Sequence, residues 1–194
     1  MKVHTLQPPH MNVQNFVTEY DSQKSPYIES INDRKRLQFS GVEALIYDKL
    51  SSSKFRSSKI PLELQQKIIE KVHHCVGHNL PIHITVPFGG YKKWQLPSAP
   101  HIDFAEVFNL LLLREYLSPI AALYDHGVLL EYFSDEIFVS SMNNIPQHDL
   151  DTYNNEFAML INFLKPHFPN NFQCKFSKIR DFISQEDLFK RFDE

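Results

Sequence analysis

The sequence predicts an α/β protein in which a mainly parallel sheet is flanked by helices. Three observations carry this. Short apolar runs suited to strands recur at 81–86, 128–133 and 172–179. Helix-length periodic stretches separate them, and a helical crossover makes successive strands parallel neighbours. The first run ends in Pro87-Phe88 and empties into Gly89-Gly90-Tyr91-Lys92-Lys93-Trp94. Flexible backbone and positive charge thus arrive at the carboxyl end of a strand, where open α/β sheets bind ligands.

Each element follows from its residues. Residues 1–37 are polar and without apolar periodicity, and read as an N-terminal extension that drapes over the domain or stays mobile. Residues 38–194 read as one α/β domain. A short helix is expected over 41–50 and a serine-rich loop over 51–58. Pro61 suits a helix start, where its missing N–H is no loss, and Gly77 suits the end. Ile82, Ile84 and Val86 then share one face of the first strand. The stretch from Pro87 to His101 is long for a strand-to-helix connection. A helix runs from Asp103 to about Tyr116, and Pro119 starts a further piece. Val128–Phe133 is the second strand, Ser134–Glu136 a turn, and Ile137–Ser140 a short returning strand. A helix over 146–164 and the last strand follow, and Ser184 with Asp187 resembles the capping box of a final helix.

Composition narrows the function classes. Apolar residues are 42% and charged residues 22% of the 194, as in an ordinary globular protein, and 16 phenylalanines predict a Phe-rich core. A net charge of −3 and the short run Arg34-Lys35-Arg36 give no footprint for nucleic acid. Cys75 and Cys174 form neither a zinc motif nor a disulfide framework. Cys75 falls on the stripe of Leu64, Ile68 and Val72, as a core thiol would. The first residues do not form a signal peptide, and the apolar run at 107–113 is too short to cross a bilayer. A cytoplasmic protein without nucleic-acid or membrane partners is expected.

The candidate site is the carboxyl edge. Gly89 and Gly90 let backbone approach a ligand, Lys92 and Lys93 meet an anion, and Trp94 offers an apolar wall. Asp103 opens the next helix, where a carboxylate caps the first turn or orients a substrate. Glu106 lies between apolar neighbours, and desolvation would raise its pKa towards that of a general base. Ser134 and Asp135 follow the second strand on the same rim, and Asp135 either fixes a turn or touches ligand. His101, next to Asp103, is the best placed histidine for catalysis. Glu131, inside the second strand, needs a partner. His74 and His78 have a metal-like spacing, but Gly77 breaks the helix between them, so no metal is expected.

With these residues in place the chain resembles the isocyanide (isonitrile) synthases of the pyoverdine and dityrosine biosynthesis family. The resemblance lies in Pro87-Phe88, Lys92, Leu96-Pro97, Asp103 with Glu106, Tyr124 with Gly127, Ser134-Asp135, Phe138 and Tyr153. It covers about 60–190 and matches the family's N-terminal Rossmann-like part only. Two departures stand out: Gly89-Gly90-Tyr91 precedes the lysine, and Glu136 stands where the family has glycine. The resemblance implies a three-layer Rossmann-like sheet and no metal or nucleotide cofactor. It also implies an enzyme that joins an amino acid's nitrogen to a carbon of a pentulose phosphate. The expected function is a biosynthetic enzyme that binds an anionic phosphosugar or amino acid, alone, as a homo-oligomer or with a partner chain. The alternative is a binding or interaction module that keeps the fold without the chemistry.

Overall fold

The three expected strands form one sheet. In a computed structural model that describes residues 12–24, 30–53, 58–88, 100–184 and 187, β1 (Ile82–Phe88), β2 (Val128–Ser134) and β3 (Phe172–Lys178) lie in the order β1-β2-β3. Both pairs are parallel, with Ile82, Val128 and Phe172 level at one end and Phe88, Ser134 and Lys178 at the other. The open, all-parallel sheet flanked by helices is a Rossmann-like layout. The Gly89–Trp94 loop lies outside the described residues.

Strand alternation selects the core face. Ile82 and Phe88 from β1, Val128, Leu130 and Tyr132 from β2, and Phe172 from β3 are buried in one cluster. The helices α4 (Phe104–Leu123) and α6 (Gln147–Leu164) return the chain between strands and send Leu110, Leu111, Leu117, Phe157 and Leu160 into that cluster. Phe157 stacks on Phe88 with 3.9 Å between ring centroids, and Tyr132 meets it edge-on at 4.9 Å. The Phe-rich core is therefore concentrated beneath the carboxyl half of the sheet.

Around this core stand α1 (Val13–Gln23), α2 (Ile31–Leu50), α3 (Leu62–Gly77) and α5 (Glu136–Asn143). The segment read as an unpatterned extension contains α1. Val13 and Val17 are buried, Phe16 packs on Phe104 and Phe108, and Asp21 accepts hydrogen bonds from Arg114 and His167. Its stripe Val13, Phe16, Val17, Tyr20 has helical spacing, and Asn12 caps it. The helix expected over 41–50 begins ten residues earlier, at a Ser30/Asp33 capping box, and bends at Gly41, whose φ is 78°. On α3, Val72 is buried, whereas Cys75 is only half-buried and Leu64 is exposed, so the stripe is narrower than expected.

Two further corrections concern the middle of the chain. Pro119 does not start a helix but sits inside α4. The burial of Leu117, Ile120 and Ala121 on either side holds the helix together across it. A mid-helix proline costs about 3 kcal/mol, and two or more large buried side chains offset that. Ile137–Ser140 belongs to α5 rather than to a strand. A four-residue apolar run has no period of its own to choose between the two, and here Glu136, Ile137 and Val139 all face inwards as part of the crossover from β2.

The amino ends of the strands meet at one point. Gly127 has φ 67°, and a Cβ there would lie 1.8 Å from the Asn171 carbonyl oxygen. That carbonyl accepts Val128 N–H at 3.0 Å, and the Gly127 carbonyl accepts Ile82 N–H at 2.9 Å. The Asn171 side chain donates to the carbonyls of Ala121 and Tyr124 at the end of α4. Only glycine fits this junction.

Candidate functional site at the carboxyl edge

The opposite end of the sheet carries the expected polar residues. Asp103 caps α4: its carboxylate accepts Ala105 N–H at 2.8 Å, and its own N–H donates to Glu106 Oε2 at 2.6 Å. Glu106 is buried, and its other oxygen accepts the Tyr153 hydroxyl at 2.6 Å. Both carboxylates are thus engaged in fixing the start of α4. Burial and the Glu106 acceptor push the pKa of Tyr153 upwards, so the phenol stays protonated and keeps donating. Its ring stacks on Phe88, the last residue of β1, at 5.2 Å. Beside it His101 Nδ1 lies 2.6 Å from Glu156, which also accepts Ile102 N–H at 2.9 Å. Tyr153 and Glu156, one turn apart on α6, therefore hold the chain entering α4.

A second group gathers at the end of β2. Ser134 is buried, and its hydroxyl reaches Asn154 Oδ1 at 3.4 Å. Asp135 precedes α5 without capping it. Burial pushes its pKa upwards, its own backbone N–H works against that, and the charge of Glu136 adds to the rise. Glu136 is fully buried, with Oε1 2.5 Å from Arg180 Nε. Arg180 also reaches Asp151 at 3.1 Å. Among the described residues two buried side-chain atoms have no hydrogen-bond partner: Glu136 Oε2 and Asn154 Nδ2. One is an acceptor and one a donor, and unmatched buried groups of this kind are rare in folded proteins.

Neighbouring residues of α6 join the two groups, Tyr153 through Glu106 and Asn154 through Ser134. Gly89, Gly90, Lys92, Lys93 and Trp94 lie outside the described residues. Sequence reasoning passed over Glu136, Asn154 and Arg180. The available signal was the unbroken polar run Ser134-Asp135-Glu136 after an apolar strand, matched by a cation just past β3 on the same rim. Glu131 has the partners it needed: His83, Lys175 and Ser177.

Other features bear on what the site can do. Among the described residues no group of three or more His, Cys, Asp or Glu could hold a metal ion. None of their helices is long and apolar enough to cross a membrane. An open polar cleft of about 740 Å³ lies at the ends of α2, lined by Ser30, Asp33, Lys49 and their neighbours and by none of the edge residues. The chain matches no protein-family model, no curated protein and no solved structure.

Proposed function

We propose that this protein is a small-molecule biosynthetic enzyme that binds its substrate at the carboxyl edge of the sheet. The observation that carries the reading is the unmatched pair Glu136 Oε2 and Asn154 Nδ2, buried beside Ser134 and Asp135 where β2 ends. Their unmet hydrogen-bonding capacity marks the end of β2 as a polar place in an otherwise apolar core. The edge residues described here are mostly carboxylates, and Lys92 and Lys93 follow β1 in the sequence. Carboxylates at the edge suit a substrate's amine or hydroxyl, and the two lysines are the candidates for its anionic group, as in an amino acid or phosphosugar. Asp135 is the group to move a proton, because burial favours its neutral form. Glu106, with both oxygens engaged, orients Tyr153 and the α4 start. Of the residues that resemble the isocyanide synthases, Phe88, Asp103, Glu106, Ser134, Asp135 and Tyr153 fall in these two groups, whereas Tyr124 and Gly127 lie at the opposite end of the sheet; an isonitrile-forming reaction is the finer form of the proposal.

The test is calorimetry with amino acids and phosphosugars, together with mass spectrometry of the reaction mixture. Lys92→Ala/Lys93→Ala is expected to weaken binding of the anion, and Asp135→Asn to keep binding and lose turnover. If no ligand of either class binds the wild-type protein, the reading fails. A binding module without chemistry is the second reading, favoured by the engagement of Asp103 and Glu106 in the helix cap. It predicts that ligand binds and is recovered unchanged.

A further inference from the structure

The sheet's second face carries a cluster that the carboxyl-edge site does not use. Parallel sheets are usually covered on both faces, yet on this one His83, Thr85, Pro87, Gln173 and Lys175 are exposed. In the middle stands Glu131, on the central strand and level with Thr85 and Lys175. Its carboxylate is buried among three donors. Ser177 Oγ lies 2.6 Å and Lys175 Nζ 3.0 Å from Oε1, and His83 Nε2 lies 2.6 Å from Oε2. Burial works against its charge, but the bonds from Ser177, Lys175 and His83 outweigh burial and hold its pKa below the ordinary value.

An ionised carboxylate on Nε2 fixes the neutral imidazole as the Nε2–H tautomer. The lone pair is then on Nδ1, across the ring from the carboxylate. The His83 side chain is 44% exposed and that of Lys175 48%. What the imidazole adds is a basic nitrogen on a half-exposed side chain, bonded to a carboxylate whose other oxygen holds an ammonium. That is the base-and-orienter arrangement of acid–base sites.

We propose that this face carries a second site, separate from the carboxyl edge, in which Lys175 and His83 bind a small protonated oxyanion. The O–H bond of the anion breaks, its proton forms the N–H bond at His83 Nδ1, and Glu131 holds the resulting imidazolium. The anion, now one charge more negative, sits between two cations.

The test follows the histidine ring C–H resonances of the full chain by NMR as inorganic phosphate is added at neutral pH. The His83 resonance, assigned with His83→Gln, is expected to move saturably towards its imidazolium position. Lys175→Ala, at an exposed side chain, should weaken the phosphate affinity by about tenfold, the scale of one charge-assisted hydrogen bond. Glu131→Gln should still bind phosphate but leave His83 unprotonated in the complex. The proposal is overturned if phosphate leaves the His83 resonance in place, or if Lys175→Ala binds phosphate as wild type does.

Discussion

Replacing Tyr153 with phenylalanine removes one oxygen and nothing else from the centre of the carboxyl edge. The ring keeps its stacking on Phe88, and no cavity larger than a hydroxyl opens, so the change in stability reports the polar contact. Tyr153 is 4% exposed and Glu106 8%, and their hydrogen bond is 2.6 Å long. Hydrogen bonds to charged groups contribute about 1.5–3 kcal/mol, and a buried carboxylate deprived of one partner also bears its desolvation. Tyr153→Phe should therefore destabilise the protein by about 2 kcal/mol, measured by urea unfolding followed by far-UV circular dichroism. Glu106→Gln keeps one acceptor oxygen and turns the other position into a donor, so it loses one of two bonds. The double variant should show a coupling of about 1–2 kcal/mol, as residues in one hydrogen-bonded pair do. If Tyr153→Phe unfolds within about 0.5 kcal/mol of wild type, the contact does not hold the edge together and the reasoning is wrong.

Other perturbations probe the remaining features. Gly127→Ala forces a left-handed alanine against the Asn171 carbonyl and should cost about 3 kcal/mol or more, read from the urea midpoint. Burial opposes the charge of Asp21, but the Arg114 and His167 bonds and charges outweigh it, so its folded pKa lies below its unfolded one. The stability it contributes is present above the ordinary aspartate value of ~3.9 and is lost as pH falls through the lowered folded value. Asp21→Asn should flatten an acid titration of stability in that range. Burial raises the pKa of Tyr20 to about 12, so the folded state holds this proton longer than the unfolded chain. The stability it contributes is present below pH ~10 and is lost as pH rises towards the folded value. Tyr20→Phe should reduce that alkaline loss. Burial pushes the Cys174 thiol to about 12, and a thiol reagent at pH 8 should label it slowly in native protein and quickly in urea.

The strands were legible because the sheet buries one face: Ile82, Ile84 and Val86 alternate with His83, Thr85 and Pro87, and only one set reaches the core. Helices α3 and α6 were legible from their prolines and periodicity. What was missed has particular causes. The four apolar positions of α1 are diluted by polar residues, and its anchor at Arg114 lies 93 positions away in sequence. In α5 the run is too short to show a period. The length of α4 depends on the burial of Leu117 and Ile120, a tertiary fact that a proline rule does not contain. In the candidate site, the rim positions of Asp103, Glu106, Ser134 and Asp135 were legible because strand ends and helix starts mark the rim. Glu136 and Asn154 were not, because their significance lies in lacking partners, and that depends on every atom around them.

The Gly127–Asn171 junction gives the two ends of this sheet different freedoms. All three strands start from points tied to that junction or level with it, so strand alignment is decided there, far from the residues that would meet a substrate. Selection acting on the other end works with a scaffold already in register. Asp135, the single residue between β2 and α5, stands at that other end, and its exchange leaves the junction of 127 and 171 intact. An engineer who alters the carboxyl end should leave positions 127 and 171 untouched.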